Sequence, residues 1–104
     1  MKIPDKVKVG AHVYDIVRSS DEGDYDARFG HCFPRKLKIY IDPNVAQSQA
    51  EETFFHEVLH AVCDQLHLFP KTSDGQREEE EKVQPLGHAI YQLLKDNDLL
   101  KNNE

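Results

Sequence analysis

Residues 56–60 read His-Glu-Val-Leu-His. On a helix, His56 and His60 stand one turn apart and project from the same side. That spacing lets two imidazoles bind one zinc ion, Zn2+. Glu57 is turned about 100° from His56, which places it beside the metal rather than on it. There it can act as general base, taking a proton from a water that the metal has acidified. The polar residues of this motif interrupt an otherwise apolar segment, where unpaired polar groups cost free energy. The alternative is a pair of surface histidines on an amphipathic helix.

Two histidines leave a zinc site incomplete, so a further protein ligand is required. His67 lies seven residues past His60 and shares its helical face. The other candidates are the glutamates of the run 78–81, on the following helix. Hairpin geometry favours the run. His60 lies ten residues before Pro70 and Glu80 ten after it. Six helical residues on either side, at 1.5 Å each, travel about 9 Å out and about 9 Å back. Glu80 then sits level with His60. It also shares a face with Val83 and Gly87, which aims it at the first helix. Glu79 shares a face with Val83 and Leu86 and competes closely. The remaining glutamates read as a solvated acidic first turn, favourable near a helix N-terminus.

The elements that must position these residues are legible from periodicity. Residues 6–9, 12–18, 27–33 and 36–42 read as strands, with Gly10-Ala11 able to turn between the first two. Residues 36–42 are the clearest, with Leu37, Ile39 and Ile41 on one face. Gly30 weakens the strand 27–33 or marks a bulge, and Pro34 suits an edge position. Residues 19–26 are acidic and turn-rich, and read as an exposed loop. Ser48 and Glu51 have capping-box spacing, so one helix starts near 48 and runs to about Leu66. Its apolar stripe is Phe54, Val58, Leu59, Val62 and Leu66. Ser73 and Gln76 repeat the capping spacing, and a second helix runs to about Asn97. Val83, Leu86, Ile90, Leu93 and Leu94 are expected to face inward on it. The polar tail is expected to fray. Strands followed by helices predict an α+β fold: a small antiparallel sheet of three to four strands, then a two-helix hairpin bearing the histidine motif.

Composition narrows the function. The 104 residues fit one domain spanning 1–104. With 13 Lys and Arg against 19 Asp and Glu, the formal charge is −6. A broad basic nucleic-acid face is therefore not expected. Mean hydropathy is −0.69. No apolar run approaches the ~20 residues of a membrane span. The opening MKIPDKVKVG has no apolar core of a secretory signal, which predicts a cytoplasmic protein. Cys32 and Cys63 read as free thiols in a reducing compartment. The sequence sets no oligomeric state.

The stretch HEVLHAVCD resembles the active-site helix of thermolysin-type gluzincin metallopeptidases, H-E-x-x-H-A-V-x-D. The whole chain more closely resembles the small ImmA/IrrE-type metallopeptidases of phages and mobile elements. The matching residues are IYID at 39–42, HEVLH at 56–60, and Glu80, Val83, Leu86 and Gly87. The resemblance implies a minimal zincin-like fold, with zinc held by His56, His60 and Glu80 and with Glu57 as general base. It also implies a peptide or protein substrate bound along an edge strand near residues 37–41, with a transcriptional repressor as a target. Two positions depart from the pattern. Pro85 lies inside the second helix, where it removes a hydrogen bond. Gln84 stands where thermolysin-like enzymes carry an acidic residue that orients a ligand; Asp64 is a candidate for that role.

The leading expectation is thus a zinc metallopeptidase. Tyr91, Tyr40, His31 and His88 are the candidate donors for the tetrahedral oxyanion such a reaction forms. A second reading keeps the zinc in a non-catalytic regulatory or interaction module. A third is a metal-free α+β interaction domain, which metal analysis separates from the other two.

Overall fold

Alternating side chains and a glycine turn open the chain. The computed structural model describes residues 1–19 and 29–101. Strand β1 (Lys6–Val9) and strand β2 (His12–Val17) form an antiparallel hairpin, with Val9 opposite His12. Gly10 makes the turn at φ +60°, a conformation that a Cβ disfavours. Strand β3 (Gly30–Phe33) and strand β4 (Lys38–Ile41) form a second antiparallel hairpin. Its turn puts Leu37 at φ +55°, so the strand expected from residue 36 begins at Lys38. Residues 27 and 28 of the expected third strand, and residues 20–26 of the expected acidic loop, lie outside the described residues.

The two hairpins join through a parallel pairing of β2 with β4, Ile16 beside Ile39. The sheet order is β1-β2-β4-β3. An α+β fold is confirmed, but the sheet is mixed rather than antiparallel. This order also corrects the position of the edge. Residues 38–41 form an interior strand, and β3 is an edge strand, as Pro34 indicated, with β1 at the opposite edge.

Helix α1 (Gln47–Leu66) packs on the sheet, and among the described residues helix α2 (Ser73–Asp96) packs on α1 alone. Val9, Tyr14, Ile16, Ile39 and Ile41 meet Ala50, Phe54 and Ala61 in the core. Each large apolar side chain buried there contributes roughly 1.5–3 kcal/mol. Among the described residues α2 touches no strand, and it buries a narrow set: Gly75, Val83, Gly87 and Tyr91. Leu86 and Leu93, expected to face inward, are 53% and 60% exposed, and Leu66 of α1 is 60% exposed.

Both helices start where expected, at Gln47 and Ser73, but other residues cap them. The N-cap of α1 is Ala46, whose backbone N–H donates to Gln49 Oε1 at 3.4 Å. Glu51 is buried instead of capping, and accepts from Gln47 and Tyr91. For α2, Thr72 Oγ1 accepts from Gly75 N–H at 3.0 Å. The helix continues through Pro85 to Asp96. The orphaned carbonyl four residues earlier belongs to exposed Glu81, where water can satisfy it.

Candidate metal centre

α1 brings His56 and His60 to one side because they are one turn apart, with ring centroids 4.9 Å apart. Their Nε2 atoms are 3.2 Å apart. α2 returns antiparallel and delivers Glu80 to the same point. Its Oε1 lies 3.0 Å from His56 Nε2 and its Oε2 lies 2.7 Å from His60 Nε2. Gly87 allows this close return, since a Cβ there would lie 3.2 Å from His56 Cα. Among the described residues, His56, His60 and Glu80 form a group whose donor atoms all lie within 4.8 Å of one another. Two imidazole nitrogens and one carboxylate oxygen fit a catalytic zinc site, in which a fourth position stays open.

Glu57 is 6% exposed, and its Oε2 lies 4.0 Å from His56 Nε2. It therefore stands beside the cluster, as its rotation on the helix requires. Glu79 reaches the other edge of His60: its Oε2 is 2.6 Å from Nδ1. The His60 imidazole is thus bracketed by two carboxylates. Burial works against its charged form, but the hydrogen bonds to Glu80 and Glu79 outweigh this and raise its pKa to about 9. The same contacts, His56 first and then His60, hold the Glu80 carboxyl well below its ordinary range.

The other sequence candidates divide by position. His31 lines the cleft described below and stacks on Phe33. His67 ends α1 in the left-handed region and lines a separate hollow with His12 and Tyr14. Tyr91 is core: its hydroxyl donates to Glu51 Oε1 at 2.8 Å. Burial, then this bond, pushes the phenol up to about 12. Tyr40 is 3% exposed and packs edge-on against Phe33. His88 pairs with Glu52 at the surface. Asp64 pairs with Lys71 rather than with a histidine.

The cluster opens into a cleft of about 660 Å³. One wall is the β3 edge, Gly30 to Cys32. The other is Gln76, Glu79 and Glu80 of α2, with Pro70 and Lys71 at one end. A smaller hollow of about 280 Å³, reached past Phe29, Thr53 and Gln84, shares Gly30, His56, Glu57 and Glu80 with it. Phe29 and Asp42 are a hydrogen-bonded pair, with Asp42 N–H donating to the Phe29 carbonyl at 2.8 Å. By antiparallel alternation, Gly30 and Cys32 direct their backbone N–H and C=O away from β4, along the cleft. Sequence reasoning did not reach this wall, although a glycine within a strand signals close approach. Cys32 and Cys63 are both free, and burial raises both thiols, which makes them poor nucleophiles.

No protein-family model, curated protein or solved structure matches the chain.

Proposed function

We propose that the chain is a minimal zincin-like metallopeptidase that uses zinc to hydrolyse a peptide bond. The observation that carries this reading is the convergence of His56, His60 and Glu80 beside buried Glu57, on a cleft bordered by an open sheet edge. When bound, zinc supplies a Lewis acid that polarises a carbonyl and lowers the pKa of a water toward ~7. His56 and His60 would hold the ion through Nε2, and Glu80 through a carboxylate oxygen. Glu57 takes the proton from the attacking water and passes it to the leaving amine. The substrate adds to β3 as an extended strand, paired with the outward backbone groups of Gly30 and Cys32. By resemblance alone, the substrate is a regulatory protein such as a repressor.

The test compares the zinc-loaded chain with Glu57→Gln on a mixture of unstructured peptides, read by mass spectrometry. The variant keeps its zinc and loses cleavage by about 10²–10⁴-fold. Cleavage by the variant at the parent rate would refute the mechanism. A non-catalytic zinc module is the second reading. It is favoured by the positions of Tyr40, Tyr91 and His88, none of which lines the cleft. Stoichiometric zinc without cleavage of any peptide or protein tried would support it.

A further inference from the structure

We infer that Glu79 is the positioning residue of this centre: it fixes His60 so that only Nε2 faces the metal. The inference rests on the reading of His56, His60 and Glu80 as metal ligands. Glu79 and Glu80 are adjacent and emerge about 100° apart on α2. Both reach the same imidazole, but on opposite edges: Glu79 meets Nδ1 at 2.6 Å and Glu80 meets Nε2 at 2.7 Å. The edge that Glu79 holds is turned away from His56 Nε2 and the Glu80 oxygens. Glu79 therefore stands outside the ligand group, and Glu80 within it.

The two glutamates also differ in setting. The Glu79 side chain is 22% exposed and that of Glu80 52%. A half-enclosed carboxylate on Nδ1–H selects one tautomer, locks the ring plane and makes Nε2 a better donor. Asp64, the sequence candidate for this role, is occupied by Lys71. Glu78 and Glu81 are exposed on other faces of α2. The acidic run thus contains one ligand and one orienting group in consecutive positions.

The test measures zinc affinity by chelator competition for the parent chain, Glu79→Ala and Glu79→Gln. It adds imidazole nitrogen shifts of His60 in the zinc-loaded parent by NMR. Glu79→Ala weakens zinc binding about 10–100-fold. Glu79→Gln restores part of that loss, because its amide oxygen can still accept from Nδ1–H. The parent spectrum shows His60 protonated at Nδ1 and metal-bound at Nε2. Unchanged affinity in a folded Glu79→Ala, or a His60 bound through Nδ1, overturns the inference. If Glu79→Ala does not fold, the His60 spectrum and the Glu79→Gln affinity decide by the same criteria. If the parent binds no zinc, the ligand reading fails and the role of Glu79 falls with it. A zinc-binding parent with an indifferent Glu79 sinks the role of Glu79 alone.

Discussion

Gly30 and Glu57 lie against each other where the sheet edge crosses the motif helix. A Cβ at Gly30 would come within 3.3 Å of Glu57 Cγ, 2.6 Å of Thr53 Cγ2 and 2.7 Å of the Tyr40 carbonyl oxygen. Only a glycine lets β3 run this close to Glu57. The Tyr40 carbonyl belongs to the neighbouring strand and cannot swing aside as a side chain would. Gly30→Ala therefore pushes β3 off α1, at a cost of about 1–3 kcal/mol in stability. On the proposed function, peptide turnover falls with it, because both the β3 edge and Glu57 move. Thermal unfolding and a turnover assay check this. An unchanged melting temperature and rate would contradict it.

Gly87 performs a similar service between the helices. Its absent side chain leaves α2 against the His56 backbone, where a methyl group would stand 3.2 Å from Cα and 3.4 Å from N. Glu80 lies two turns earlier on the same face. Gly87→Val forces the helices apart and draws Glu80 away from His56. Zinc affinity is expected to fall at least about tenfold, the scale of losing about 1.4 kcal/mol. Gly87→Ala, which needs a shift of only a few tenths of an ångström, has the smaller effect. Chelator competition on the two variants reads the difference.

Glu51 gives the fold an acid-sensitive element outside the group of His56, His60 and Glu80. Burial raises its pKa, but hydrogen bonds from Tyr91 and Gln47 and the Met1 amino group outweigh this and hold it below 4.5. The folded pKa is lower than the unfolded one. The stabilisation is therefore present above about pH 4.5 and is lost as pH falls through the folded value. Glu51→Gln is expected to cost about 1.5–3 kcal/mol at neutral pH, the range for hydrogen bonds to a charged group. The gap between parent and variant narrows as acid is added. Urea unfolding at pH 7 and below pH 4.5 measures both gaps, and a gap that widened in acid would contradict the assignment.

Much of this arrangement is written in local pattern. The 3.6-residue period places His56 and His60 together, and counting from Pro70 places Glu80 opposite His60, where it stands at 2.7 Å. Strand periodicity in KLKIYID gives Ile39 and Ile41, both fully buried. What escapes local pattern is set by distant partners. The parallel pairing of β2 with β4 is a choice between chain segments more than twenty residues apart, and periodicity is the same for either direction. It turns the expected edge at 37–41 into an interior strand and makes β3 an edge strand. Leu86 and Leu93 fit an inward stripe on paper, yet among the described residues α2 meets a single helix, and both leucines stay exposed. Glu79 separates from Glu80 only by which edge of one imidazole each reaches.

The central claim is that His56, His60 and Glu80 together hold one divalent ion. Zinc content by elemental analysis, after purification without chelator and dialysis against zinc, tests it most directly. The account predicts about one equivalent in the parent and in His67→Ala, and its loss in His56→Ala, His60→Ala and Glu80→Ala. Less than about a tenth of an equivalent in the parent, or full zinc in a folded Glu80→Ala, would contradict it.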